Sequence, residues 1–315
     1  MSGKRHYMLL LMLALALVAV AAGCGGDDDG NGDLSGTIQI DGSSTVAPLS
    51  EAAAELFQAE NPDVQVTVGT SGTGGGFEKF CAGETDISDA SRPIADDEVA
   101  ACGDEGIGFE QVVVANDALS VLVNPENPVN CMTVEQLNQV WAPDSAVSSW
   151  SAIDGLDPPF DESLELYGPG TDSGTFDYFT DAINGEEGAQ RTNYNNIGED
   201  DNPGIVGVEG SPGGMFYVGF SYYVENQDRV KALQIDGGSG CVEPSLETVQ
   251  GGTYQPLGRE LFIYPSAAAL EKPEVLAFVR FYIENQVEIT EAAGYIPLTP
   301  EQEEESLATV EELAG

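Results

Sequence analysis

The sequence predicts an α/β fold with a largely parallel sheet. The chief sign is a repeated rhythm in which a short β-branched run gives way to a Gly/Ser/Thr loop and then to a helix. A second sign is composition: 42% of the 315 residues are hydrophobic, enough for a real core despite the acid content. No internal repeat of about 20–50 residues interrupts this pattern.

The elements follow in order. Thr37 to Ile40 reads as a strand, and Val46, Leu49, Ala53, Leu56 and Phe57 then share one helical face, with Pro48 tolerated in the first turn. Val64, Val66 and Val68 alternate as a strand, followed by a glycine loop from Ser71 to Gly76 and a short helix from Phe77. Asp86 to Ala90 is extended, Asp96 to Ala101 helical, Ile107 to Val114 a strand, and Ala118 to Val123 a further apolar run. Thr133 opens a helix to Trp141 with Gln136 three residues on, a capping box. Leu164 to Tyr167 is a strand, Phe176 to Ile183 a helix, and Asn184 to Gly204 a polar loop. Met215 to Val224 is aromatic and β-branched, Leu261 to Tyr264 a strand, and Leu276 to Val287 and Pro300 to Leu313 are helices.

The N-terminus speaks to compartment. Lys4, Arg5 and His6 precede an apolar stretch from Met8 to Ala22, shorter than the roughly 20 residues of a membrane span and suited to a signal peptide. Ala21-Ala22-Gly23-Cys24 resembles a bacterial lipobox, so residues 1–23 are expected to be removed and Cys24 acylated. Residues 24–36, rich in Gly and Asp, read as a flexible tether. Cleavage leaves 292 of the 315 residues, enough for one large or two medium domains, and removes the only histidine. Cys81, Cys102, Cys131 and Cys241 remain, an even number that suggests two disulfides with three pairings open. No CxxC is present, and no metal or cofactor is expected.

Charge is the most unusual property. Ten Lys and Arg face 54 Asp and Glu, a formal net charge of −44. Two of the ten bases and no acid lie in the signal, so the mature chain carries 8 against 54, close to −46. The acid is spread along the chain, which suits a folded protein in strong salt, where the Debye length is roughly 3 Å at 1 M. A halophilic source is expected. Nucleic acid is excluded as a partner, because its phosphates would be repelled.

Chemistry concentrates in four hydroxyl-rich loops: Gly42-Ser43-Ser44-Thr45, Ser71-Gly72-Thr73-Gly74, Ser91-Arg92 and Thr171-Asp172-Ser173-Gly174-Thr175. Most stand where a strand ends and a helix begins. Free N–H groups, the helix dipole and hydroxyl donors there suit a tetrahedral oxyanion without bulk positive charge. Trp141, Trp150, Phe216, Tyr217, Phe220, Tyr222 and Tyr223 read as core or interface aromatics and take no ligand role.

Asp41 to Leu49, Ser71 to Phe77, Asp86 to Pro93, Asp172 to Thr175 and Gly294 to Leu298 together resemble the motifs of phosphate-binding proteins of ABC transporters, in order and spacing, over roughly residues 37–300. The resemblance implies a two-lobed, periplasmic-binding-protein-like α/β fold, crossed twice at a hinge, with phosphate in the inter-lobe cleft. The crossings fall near Ala115–Ala118 and Gly258–Phe262, giving lobe I as 37–116 plus 262–315 and lobe II as 117–261. Pairing Cys81 with Cys102 and Cys131 with Cys241 keeps each bridge inside one lobe. The implied phosphate contacts are Ser44, Thr45, the Val46 N–H, Ser71, Ser91 and Arg92 from lobe I, and Asp172, Ser173, Gly174 and Thr175 from lobe II. The implied partners are inorganic phosphate and a membrane permease, with the protein a monomer on the extracytoplasmic face.

The chain departs from the better-known family pattern in two places. Ser91 stands where that form has Asp, and Pro169 where it has Arg. Arg92 is the candidate replacement for the guanidinium. Asp172, Asp89 and Asp41 are candidates for the carboxylate that accepts the ligand's proton and so repels sulfate. The rival readings are another oxyanion (sulfate, molybdate or tungstate) and a secreted phosphatase. A mature chain without histidine has no Ser-His-Asp arrangement, which weighs against a hydrolase.

Overall fold

The computed structural model describes residues 34–171 and 173–315. The signal peptide, the tether up to residue 33, Cys24 and Asp172 lie outside the described residues. Among the described residues, no helix is long and apolar enough to cross a membrane.

Strand β1 (Gly36–Gly42), helix α1 (Ala47–Glu60), β2 (Val64–Gly69), α2 (Gly72–Cys81) and β3 (Ile87–Ala90) form a parallel unit with β1 in the middle. Helix α3 (Asp96–Glu105) leads to β4 (Val112–Val123), β5 (Cys131–Thr133) and α4 (Val134–Trp141). Next come β6 (Glu165–Gly168), α5 (Gly174–Asn184), β7 (Asn195–Asn196), α6 (Asn202–Gly210), β8 (Gly214–Gly219) and α7 (Phe220–Glu225). Short strands β9 (Lys231–Ala232), β10 (Gln234–Asp236) and β11 (Cys241–Val242) and helix α8 (Leu246–Gln250) precede the long return strand β12 (Gly258–Pro265). Helices α9 (Ala267–Leu270), α10 (Pro273–Glu284), α11 (Gln286–Ala293) and α12 (Pro300–Ala314) complete the chain.

The main sheet runs β2-β1-β3-β12-β4-β8-β6-β7, with β9 also on β4, and β11-β10-β5 form a small second sheet. It is parallel at its two ends and antiparallel in the middle, where β12 pairs with β3 and β4 and β4 pairs with β8. The largely parallel sheet expected from the strand–loop–helix rhythm therefore holds only for the flanks. Strand β12 comes back from late in the chain and inserts antiparallel between β3 and β4, and β8 likewise runs antiparallel to β4.

Strand β4 is the axis of this arrangement. It pairs with β12 up to Ala118 and with β8 from Leu119 onward. The strand expected to end at Val114 and the apolar run expected from Ala118 are one element, continuous through Asn116-Asp117. Both residues are buried in the strand and satisfied there: Asn116 N–H donates to the Ile296 carbonyl at 2.8 Å, and Asp117 accepts from Arg259. Residues 107–111, expected as strand, precede β4.

Helix α2 begins at Gly72, five residues before the expected start at Phe77. Each glycine in a helix costs about 1 kcal/mol, but tertiary packing decides here. A Cβ at Gly76 would lie 2.5 Å from the Gly42 Cα, so only glycine lets this turn lie against the end of β1. Phe77 and Phe80, both fully buried, hold the helix down. The Met215–Val224 run divides into β8 and α7, and Leu276–Val287 divides at Asn285 between α10 and α11. Trp141, Trp150, Phe216 and Tyr217 are fully buried, with Phe179 stacked on Tyr217 at 3.8 Å, as befits core aromatics.

Both expected disulfides are present, Cys81–Cys102 between α2 and α3 and Cys131–Cys241 across the small sheet. The second joins cysteines 110 positions apart, so it restrains the unfolded chain more than the first, whose separation is 21. Replacing Cys131 and Cys241 by serine is expected to lower stability by about 4–5 kcal/mol. Denaturant unfolding measures this, and an unchanged midpoint would show that the bridge restrains nothing.

Asp89 is fully buried in β3 beneath α1. One carboxyl oxygen accepts from Ser50 at 2.9 Å; the other has no partner among the described residues. Burial pushes its pKa up to about 8 against the Ser50 hydrogen bond, and the charges of Asp41 and Glu51 add to the rise. The folded state thus keeps a proton that the unfolded chain releases near 3.8. This stabilisation is full below about pH 4 and is lost as pH rises to about 8. Asp89→Asn is expected to flatten the fall in melting temperature between those limits; an equally steep fall in the variant would place the titration elsewhere.

Candidate anion cleft

The first loop is shaped by its own backbone. Ser43 N–H donates to the Asp89 carbonyl at 2.9 Å, and Ser43 Oγ accepts from Thr45 N–H at 3.2 Å. The Ser43 carbonyl accepts from Val46 and Ala47 N–H, turning the chain into α1. Val46 therefore spends its N–H inside the turn, and its side chain is fully buried. The Tyr295 hydroxyl fastens the loop from the C-terminal segment by donating to the Thr45 carbonyl at 2.7 Å.

The second loop starts α2. Ser71 donates to Asp41 through its N–H at 3.1 Å and also through its hydroxyl, while Lys79 holds the other Asp41 oxygen at 2.6 Å. Burial works against the charge on Asp41, but the hydrogen bonds from Lys79 and Ser71 outweigh it and keep its pKa below the ordinary value. Asp41 is thus committed to building the loop. Thr73 Oγ1 lies 3.1 Å from Ser91 Oγ and accepts from Ser91 N–H, which joins the second loop to the third.

Arg92 follows Ser91 at the rim, with its side chain nearly half exposed. Its fork is taken by Glu98, with two hydrogen bonds of 2.8 Å each. In the fourth loop, Ser173 Oγ caps α5 by accepting from Thr175 N–H at 3.3 Å. Gly174 meets the first loop directly: a Cβ there would lie 2.9 Å from Thr45 Oγ1. Glycine is what permits this approach.

The cation at the centre is Arg259, on β12. It stands directly opposite Asp117 of β4, with guanidinium–carboxylate distances of 3.1 and 3.2 Å. Its other N–H groups reach the Ser91 carbonyl at 3.3 Å and Thr45 Oγ1 at 3.4 Å. The Tyr178 ring of α5 covers its face, 3.5 Å from centroid to Cζ. Burial pushes the Asp117 pKa up, while the charge and hydrogen bond of Arg259 pull it back.

These groups border two adjoining cavities. The larger, about 440 Å³, is lined by Ser44, Thr45, Ser71, Ser91, Arg92 and Arg259, with Asp177, Asp181 and Glu187 also on its wall. The smaller, about 220 Å³, is lined by Asp117, Gly174, Thr175 and again Thr45. Of the expected contact residues, Ser44, Thr45, Ser71, Ser91, Arg92, Gly174 and Thr175 are thus brought together. Val46 is buried in its turn and Ser173 caps its helix; Asp172 is outside the described residues.

Sequence reasoning missed Arg259, Asp117, Tyr178 and Tyr295. Scarcity was the available signal for the first. With ten Lys and Arg in 315 residues, an arginine inside the Gly258–Phe262 crossing merited a role.

Comparison with known proteins identifies the family. The profile of a PBP superfamily domain matches residues 28–286. The SphX protein of Synechococcus elongatus is 45% identical over 264 residues, 83% of this chain and 77% of its own. The phosphate-binding protein PstS of Staphylococcus saprophyticus is 33% identical over 288 residues, covering 90% and 88% of the two chains. The crystal structure of a possible phosphate-binding protein from Planctomyces limnophilus superposes with a TM-score of 0.85 at 43% identity, over 90% of this chain and all of that one. The chain belongs to the PBP superfamily, within the family of the PstS and SphX proteins.

Proposed function

We propose that the cleft binds inorganic phosphate and that the protein delivers it to the permease of an ABC transporter, without chemical turnover. One observation carries the reading: Arg259, the hydroxyls of Thr45 and Ser91, and the N-terminal ends of α2 and α5 line two adjoining cavities that share Thr45. Donors of this kind, arranged around a small space, fit a tetrahedral oxyanion. The names of the PstS and Planctomyces relatives support phosphate as that anion.

On this reading residues 37–116 plus 262–315 form lobe I, residues 117–261 form lobe II, and β4 with β12 is the hinge. Arg259 supplies the guanidinium, since Arg92 is already forked onto Glu98. Asp117 is the carboxylate that accepts a hydrogen bond from a protonated phosphate and repels unprotonated sulfate. Asp41 has both oxygens engaged and Asp89 is sealed against Ser50, so neither is free for that task. Cys24 carries the lipid, which holds a monomer on the extracytoplasmic face of the membrane. The net charge of −44 suits a saline habitat, where salt screens self-repulsion.

Arg259→Gln is expected to weaken phosphate binding by about 1.5–3 kcal/mol, the range for hydrogen bonds to a charged group. Arg92→Ala should change affinity much less. Calorimetric titration compares them, and an Arg259→Gln protein binding like wild type would take the guanidinium out of the site. Dialysis from molar to low salt is expected to lower the melting temperature; a constant value would contradict the halophilic assignment.

A further inference from the structure

Arg259 is held by more than its ion pair. The guanidinium carbon sits over the Tyr178 ring, 3.5 Å from its centroid, and Tyr178 is itself only 6% exposed. The Tyr178 hydroxyl donates to the Pro256 carbonyl at 2.9 Å, three residues before Arg259, so the ring is pinned to the segment that carries its partner. Tyr178 also sits one turn beyond Gly174 on α5, the helix whose N-terminus borders the cleft.

We propose that Tyr178 is a positioning residue for anion binding: it fixes the plane of the Arg259 guanidinium so that its edge, not its face, is presented to the ligand. This rests on the phosphate reading above. A guanidinium recognises an oxyanion through N–H groups lying in its own plane. An aromatic ring on one face leaves all of those groups free, whereas a second carboxylate would occupy some of them. Asp117 already takes Nε and one Nη. The remaining contacts, to the Ser91 carbonyl at 3.3 Å and Thr45 Oγ1 at 3.4 Å, are long and leave the orientation to the ring. Without the ring, an arginine side chain has the torsional freedom to swing toward Asp177, Asp181 or Glu187 on the cavity wall. In so acidic a cleft, fixing the arginine matters as much as having it.

The test is calorimetric titration with inorganic phosphate of the wild-type protein, Tyr178→Leu, Tyr178→Phe, Arg259→Gln and the Tyr178→Leu/Arg259→Gln double variant. Tyr178→Leu is expected to lose roughly 10-fold in affinity, in line with a desolvated cation–π contact. Tyr178→Phe, which keeps the ring, should recover most of that loss. In the Arg259→Gln background the leucine should add nothing, because its effect acts through the arginine. A purely structural role would instead give losses that add across the two sites, and that result overturns the proposal. So does a folded Tyr178→Leu protein that binds like wild type; if the leucine variant does not fold, Tyr178→Met takes its place in the same comparison. Failure of the wild-type protein to bind phosphate would overturn the functional reading, and this inference with it.

Discussion

The cross-strand pair of Arg259 and Asp117 is the constraint on which the rest of the cleft depends. The two residues face each other at the place where β4 leaves β12 and takes up β8, and both are largely buried. A carboxylate and a guanidinium taken out of water together are tolerable only while paired. Removing either one strands the other, at a cost of about 3–5 kcal/mol. The pair therefore locks the register of β4 against β12 and holds a positive group in the cleft. From there Arg259 reaches Thr45 and Ser91, and those residues belong to loops set by Asp89, Tyr295 and Thr73.

A chain with a net charge of −44 cannot attract an anion by its overall field. What remains is short-range. Helix N-termini present partial positive charge over only the first turn, and hydroxyl and guanidinium donors act at contact distance, below the screening length even of strong salt. The fold concentrates these around Thr45 and the N-terminal ends of α2 and α5, while Asp177, Asp181 and Glu187 stand on the cavity wall. High salt would weaken the repulsion of an incoming anion by that wall more than it weakens the direct hydrogen bonds inside. Charge and site are thus compatible through a difference in range.

Much of the fold was legible because local rules and tertiary packing agree. The apolar spacing from Leu49 to Phe57, the Thr133–Gln136 cap, and Ser173 with Thr175 at the start of α5 appear in the structure as read. Two elements misled for opposite reasons. The glycines of α2 look like loop, yet they are helical, and Gly76 among them packs on Gly42 where no side chain would fit. Asn116-Asp117 falls between two expected runs, yet partners from β12 and the C-terminal segment satisfy both within a strand. The loops that line the cleft could be found because each is a local motif. Arg259 belongs to no such motif: its role arises from pairing with a residue 142 positions away on an antiparallel neighbour, and only its rarity among ten basic residues marked it. Arg92 lines the larger cavity as expected of it, but Glu98, six residues on, takes its fork.

The most direct test is calorimetric titration of the ligand-stripped protein in molar sodium chloride, first with phosphate and then with sulfate. The account predicts one-to-one phosphate binding and no heat from sulfate, since a buried carboxylate beside the guanidinium accepts a proton that only phosphate can offer. Sulfate binding as tight as phosphate, or no phosphate binding at all, would contradict it.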